Sequence, residues 1–314
     1  MPLDAKLQAI LDAGKALGRP SIDQQTPEEA RAERAKAIAQ FVPMPEYSHV
    51  KAVDSAIGAG ESKIPVRVYR PSGDGMLPVV VFFHGGGWVV GSLETYDPYC
   101  RALSSETGAV VVSVDYRLAP EHRFPAGLED CQAAAEWVLE NVGELGGDAS
   151  RVFVGGDSAG GTLATVVALL LRDKGVGGLA GQILVYPAAA YYDPPTVSYL
   201  KYAEGYGLTR SEMIWFWDLY LNDKEEAKDF RVAPLLAPSL AGLPRAFVVT
   251  AEYDVLRDEA QAYATRLASE GVDVTHELVE GMNHGFAASV SEFPFLAQAK
   301  DVLRKIAEWM KAGE

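Results

Sequence analysis

The stretch RVFVGGDSAGG, Arg151 to Gly161, sets a serine between an apolar run that reads as a buried strand and a helical pattern from Ala159 to Arg172. A serine so placed sits on a sharp strand-to-helix elbow, with its hydroxyl presented above the strand end. The residues two before and two after it must be nearly free of side chain, because a Cβ there would strike the adjoining strand or helix. Gly156 and Gly160 meet that need. Ala159, next in line, can turn its N–H toward a substrate oxygen. Ser158 is therefore the candidate nucleophile of an α/β fold.

A second glycine-rich turn supplies the complementary chemistry. Leu77 to Phe83 (LPVVVFF) reads as a central strand, and His84 then leads into Gly85, Gly86 and Gly87. Consecutive glycines permit backbone conformations and close ligand approach that other residues forbid. The N–H groups of Gly85 and Gly86, with that of Ala159, are expected to receive the negative charge that develops when a hydroxyl attacks a carbonyl. A phosphate-binding loop would need a following lysine, or G-x-G-x-x-G before a helix, and neither is present. His84 reads as a structural hydrogen bonder that shapes the turn.

The base and its orienter follow from chain order. In such sheets the nucleophile is followed by the acid and then the histidine. Of the five histidines only His276 and His284 lie downstream of the candidate acids. His276 falls within the alternating strand VDVTHELV. His284 falls in the turn-rich EGMNHGF, which projects from the carboxyl end of that strand, where α/β active sites lie. His284 is the expected base. The strand AFVVTA, 246 to 251, leads into Glu252-Tyr253-Asp254, and Asp254 is the expected orienter, with Asp258 and Glu252 as the alternatives behind it. Asp258 and Glu259 open the next helix, where acidic side chains complement the positive dipole end. Asp157 reads as a buried, hydrogen-bonded support.

At this point the chain resembles the hormone-sensitive-lipase-type carboxylesterases of the α/β-hydrolase fold. The likeness rests on HGGG from His84, GDSAGG from Gly156, YRLAPEHRFPA from Tyr116, EYDVLRDEA from Glu252, GYGLTRSEMIWFWDLYL from Gly205 and GMNHGF from Gly281. It extends from about residue 45 to the C-terminus. The resemblance implies Ser158 as nucleophile, His284 as base, Asp254 as orienter, and Gly85, Gly86 and Ala159 as the oxyanion hole. Val255 stands where many relatives have proline, which bears on loop stiffness rather than chemistry.

Composition agrees with a soluble enzyme. The 314 residues are 48% hydrophobic, enough for a sizeable core. With 28 basic and 43 acidic residues the chain carries a net charge of −15, which disfavours nucleic acid and anionic membrane surfaces as partners. No run of about eighteen apolar residues and no charged-then-apolar leader is present, so a cytoplasmic location is expected. Cys100 and Cys131 imply neither a disulfide framework nor a metal site. No cofactor is expected, and both a monomer and a homodimer remain open.

Strand-like runs near 50–57, 64–70, 78–83, 109–115, 151–155, 182–186, 245–251 and 272–279 alternate with helical patterns after the third. That alternation predicts an α/β fold with a mostly parallel, eight-stranded sheet covered by helices. Two segments break it. Residues 1–45 carry helical patterns, one opened by Thr26-Pro27-Glu28-Glu29 as N-cap and first turn. Residues 188–230 carry a proline-rich loop and an aromatic helix from Ser211 to Leu221. These are expected to form a helical cap in two parts, over a catalytic domain of residues 46–187 and 231–314. Large apolar groups at helical spacing usually pack into a core. A minority of the aromatics, with Trp88, Tyr186, Trp215 and Phe286 as candidates, are expected to line an apolar acyl or alcohol pocket.

The expected chemistry is cofactor-independent hydrolysis of a small-molecule ester of short to medium acyl chain, through an acyl-enzyme. An amidase or deacetylase using the same groups is a related alternative. A non-catalytic small-molecule receptor on the same fold is a distinct one.

Overall fold

The computed structural model describes residues 2–18, 20–39, 44–58, 63–290 and 296–312. Eight strands form one sheet: β1 (Lys51–Ile57), β2 (Ile64–Arg70), β3 (Leu77–Phe83), β4 (Val110–Val114), β5 (Gly147–Asp157), β6 (Leu179–Val185), β7 (Ala246–Tyr253) and β8 (Val274–Asn283). Their order across the sheet is β1-β2-β4-β3-β5-β6-β7-β8. Only β2 runs against its neighbours, and β4 through β8 are mutually parallel. The expected α/β-hydrolase architecture with its mostly parallel eight-stranded sheet is the observed one.

The central strands have no polar face because both faces are covered. Along β3, Val79, Val81 and Phe83 enter one core cluster while Val80 and Phe82 enter the other. Helices α4 (Ala126–Asn141), α5 (Ala159–Asp173) and α8 (Arg257–Ser269) supply the first core, and α3 (Leu93–Thr107) and α9 (Ala297–Lys311) the second. Helix α5 is buried on nearly every side from Ala159 to Leu171, so an apolar sequence all round it is what its site demands. Helix α9 carries one apolar stripe, Val302, Leu303, Ile306 and Met310, against the sheet.

Four helices lie outside this alternation: α1 (Ala5–Ala16), α2 (Pro27–Ala39), α6 (Val197–Lys201) and α7 (Arg210–Tyr220). Helix α2 begins where the sequence signals it. The Thr26 hydroxyl accepts from the Glu29 N–H at 3.2 Å, and Glu29 returns an acceptor to the Thr26 N–H at 2.8 Å. Helix α7 starts with the same device between Thr209 and Glu212. Residues of both segments, Ile22 and Arg34 from one and Gly207, Leu208, Glu212, Met213 and Phe216 from the other, line a common cavity over the carboxyl end of the sheet.

Strand β8 runs further than the alternation in its sequence suggests. It continues through Gly281, Met282 and Asn283 because the ladder resumes at Tyr253 and Asn283 after a register shift. Among the described residues no helix is long and apolar enough to cross a membrane.

Candidate active site

Ser158 has φ 54° and ψ −123°, a left-handed conformation that few non-glycine residues adopt. The strain is imposed from both sides. The Ser158 N–H donates to the Val185 carbonyl at 2.8 Å, and its own carbonyl accepts from Thr162 in the first turn of α5. A Cβ at Gly156 would enter the Gly160 backbone, and one at Gly160 would run into the carbonyl oxygen of Phe83. Neither obstacle is a movable side chain. Gly160→Ala is therefore expected to lose about 3 kcal/mol or more of unfolding free energy, measured in urea. The wild-type midpoint in that variant would show that the elbow can spread.

The hydroxyl so presented meets the expected partner. His284 Nε2 lies 2.9 Å from Ser158 Oγ, and His284 Nδ1 lies 2.7 Å from Asp254 Oδ2. Asp254 is 1% exposed. Its second oxygen accepts the Leu256 N–H at 2.9 Å, which fixes the carboxylate plane. His276 is engaged elsewhere, 2.9 Å from the Thr250 hydroxyl across the β7–β8 ladder. The other acids near the β7 end also have structural partners. Asp258 accepts the Ser198 N–H at 2.8 Å and pairs with Arg257. Glu252 accepts the Gly281 N–H at 2.8 Å.

Glu259 departs from its reading as a helix-start charge. Its carboxyl is buried and accepts the Ala189 and Ala190 N–H groups at 3.0 and 3.3 Å, tying the chain beyond β6 to α8. Burial pushes its pKa well up. Nothing in the sequence marks it, because its partners are backbone groups some seventy residues away.

The glycine turn requires a correction. Gly85, expected to donate to an oxyanion, already gives its N–H to Asp157 Oδ1 at 2.8 Å and does not line the cavity. Gly86 and Gly87 do line it, with φ of +113° and +58°. Gly86 is forced to be glycine, since a Cβ there would meet the Val90 carbonyl. Among the described residues, the N–H groups of Gly86 and Gly87 reach no protein acceptor. The carboxylate beside the nucleophile thus takes the first N–H of the turn.

Asp157 itself is the buried support expected of it. Its other oxygen accepts the Tyr96 hydroxyl at 2.9 Å, and burial raises its pKa. His84 is fully buried, stacks on Tyr116 at 4.4 Å and bonds through Nδ1 to the Gly85 carbonyl at 2.8 Å. Burial lowers its pKa to about 4, so it remains neutral.

The cavity above Ser158 measures about 330 Å³. Of the four aromatics assigned to it, Trp88 alone takes part in the lining, and its ring centroid also packs 4.4 Å from those of both Trp217 and Tyr220. Tyr186 lies behind the His284 ring at 4.6 Å, with Phe286 beyond it in the second core. Trp215 packs against the first core. The large apolar walls are instead Phe216 and Met213 of α7, with Leu208 and Val90. Consecutive residues on a helix point about 100° apart, and composition alone does not tell which of Trp215 and Phe216 faces inward.

The charged residues that follow β4 have structural partners. Arg117 pairs with Asp130 at 2.8 Å, and Arg123 binds the carbonyls of Asp218 and Leu221 at the end of α7.

Comparison with known proteins agrees with this geometry. A family model described as the alpha/beta hydrolase fold matches residues 80–288. The carboxylic ester hydrolase LipN of Mycobacterium tuberculosis is 40% identical over 290 residues, covering 90% of this chain and 77% of the relative. The carboxylesterase NlhH of the same organism is 44% identical over 244 residues, 76% of each chain. A thermostable esterase from Pseudomonas putida superposes with a TM-score of 0.94 at 37% identity, covering 99% of this chain and 98% of that one. The hyperthermophilic esterase of Pyrobaculum calidifontis gives 0.91 at 39% identity over 99% of both. With the elbow, the turn and the order of acid and histidine all in their places, the chain belongs to the alpha/beta hydrolase fold family, in its hormone-sensitive-lipase-type branch of carboxylic ester hydrolases.

Proposed function

We propose that this carboxylic ester hydrolase cleaves short- to medium-chain acyl esters of small alcohols through an acyl-enzyme on Ser158. The observation that carries the reading is the continuous hydrogen-bonded line from Asp254 through His284 to Ser158, opening on an apolar cavity of about 330 Å³.

In this reading Asp254 accepts the Nδ1 proton of His284 and leaves Nε2 as the acceptor facing Ser158. Nε2 takes the hydroxyl proton as Oγ bonds to the ester carbonyl carbon. The carbonyl oxygen becomes an oxyanion held by the N–H groups of Gly86, Gly87 and Ala159. As the tetrahedral intermediate collapses, the proton on Nε2 passes to the departing alcohol oxygen. Water then attacks the acyl-enzyme with His284 again as base, releasing the acid and restoring Ser158. Residues 1–45 and 188–230 serve as a two-part cap whose inner wall, Ile22, Leu208, Met213 and Phe216, sets which esters enter. An intact acid–histidine–serine line favours catalysis over a receptor role, which needs the pocket but not the base.

Acyl preference tests the reading. Each added methylene gains up to about 0.8 kcal/mol of burial until the wall is reached. Rates on p-nitrophenyl esters should climb from acetate to butyrate or hexanoate and fall steeply for laurate. Phe216→Ala should move the optimum to longer chains, whereas Trp215→Ala should leave it in place. An unchanged profile in Phe216→Ala, or preferential turnover of long-chain triglyceride emulsions, would refute this account of the pocket.

A further inference from the structure

We propose that Arg31, on the N-terminal helix α2, is a positioning residue that holds the oxyanion turn from the cap side, an inference that rests on Gly86, Gly87 and Ala159 being the oxyanion donors. Arg31 contributes nothing to the sheet. Its guanidinium nevertheless makes four hydrogen bonds to the catalytic body: Nε to the Val89 carbonyl at 2.8 Å, Nη2 to the Ala119 carbonyl at 2.8 Å, and a fork onto Glu121 at 2.8 and 2.7 Å. A planar fork with fixed donor directions can join three separate backbone segments in this way, and a lysine cannot.

The two carbonyls it selects belong to one knot. Val89 and Val90 both give their N–H groups to the Gly86 carbonyl, at 3.1 and 2.9 Å, closing the turn that contains Gly87 and Trp88. The Trp88 carbonyl accepts the Ala119 N–H at 2.9 Å, so the chain beyond β4 braces the same turn. Arg31 thus grips the turn directly at Val89 and its brace at Ala119. At the opposite end Asp157 grips it through the Gly85 N–H. Gly86 and Gly87 are suspended between these two anchors.

The turn needs such anchoring. It holds two glycines of left-handed φ and Trp88 at φ 61°, a strained conformation that persists only where the surroundings determine it. Oxyanion donors act by being already in place, and an error of about 1 Å in a reacting geometry costs on the order of 10²-fold. The Glu121 arm alone does not account for the arrangement. Glu121 is 48% exposed, and exposed ion pairs contribute little to stability. Its role is to orient the guanidinium toward the two carbonyls, and the Arg31 hydrogen bond holds its carboxyl down at about 2.

The test compares wild type with Arg31→Ala, Arg31→Lys and Glu121→Gln in the full chain. A trifluoromethyl ketone of matched acyl length adds reversibly to Ser158 as a hemiketal whose oxyanion occupies the proposed hole. Arg31→Ala should lower kcat about 10- to 100-fold with KM within threefold, and weaken the ketone by the same factor. Arg31→Lys should fall between, and Glu121→Gln should lose less than Arg31→Lys because both carbonyl contacts survive. A merely structural role predicts a lower Tm with kcat and ketone affinity within twofold of wild type, and that result would overturn the proposal. A rise in KM with kcat unchanged would overturn it too, by making Arg31 an anchor of the cap alone. Should Arg31→Ala fail to fold, Arg31→Lys decides on the same criteria. If wild type itself shows no enhanced affinity for the ketone over the parent ester, the oxyanion assignment fails. Tight wild-type binding that Arg31→Lys and Arg31→Ala both retain defeats the present inference alone.

Discussion

Ser158→Ala is expected to lower kcat on p-nitrophenyl butyrate by about 10⁴-fold or more while leaving the fold intact. Alanine removes only Oγ, and the strained backbone at φ 54° is no easier for it than for serine, so stability should change little. What remains is whatever the oxyanion donors and binding supply without a nucleophile, which in comparable machinery is substantial but far below the full rate. The same assignment predicts stoichiometric labelling of Ser158 by a fluorophosphonate, located by mass spectrometry of the tryptic peptide. Full inactivation with the label on another serine would refute the assignment. So would near-normal turnover by the folded alanine variant.

The second large effect separates histidines and carboxylates by what they touch. His284→Ala removes the base 2.9 Å from Ser158 Oγ and should cost as much as losing the serine, because the two act as a unit. His276→Ala removes a hydrogen bond to Thr250 on the β7–β8 ladder and should keep most activity. Asp254→Asn should lose on the order of 10³- to 10⁴-fold, through a tautomer effect. The Leu256 N–H, 2.9 Å from Oδ1, would draw the amide oxygen to that side. The amide nitrogen would then face His284 Nδ1 and donate to it, moving the imidazole proton to Nε2. An imidazole protonated there cannot accept the serine proton. Asp258→Asn, which disturbs only Arg257 and the Ser198 N–H, should cost stability more than rate. Circular dichroism and a Tm alongside kcat separate the two effects. Greater damage from His276→Ala in a folded protein would place the base on β8 rather than beyond it.

Local constraints explain which parts of this protein its sequence determined. Strand β3 is unmistakable because a strand covered on both faces is apolar at every position, and α5 because it is buried all round. The elbow at Ser158 is equally legible, since Gly156 and Gly160 exclude a Cβ by contact with backbone only a few residues away or on the adjoining strand. Chain order and the position of His284 just past a strand end sufficed to separate it from His276. In each case the determining interaction is short in sequence or repeats along an element.

Tertiary structure decided what depends on a third group arriving from elsewhere. Three consecutive glycines are chemically identical, and which of their N–H groups is already engaged is decided by the Asp157 carboxylate, 72 residues on, that captures the first. Trp215 and Phe216 are both aromatic and adjacent, and only the seating of α7 in the fold buries Phe216 at the cavity wall and leaves Trp215 half-buried outside the lining. Glu259 and Arg31 lie on helices where charge is ordinary, and the distant backbone carbonyls and N–H groups they bind are reached only after folding. A side chain's type is written in the chain, but the direction in which a donor points is set by the acceptor that reaches it first. Such acceptors come together only when the sheet and its covering helices are assembled.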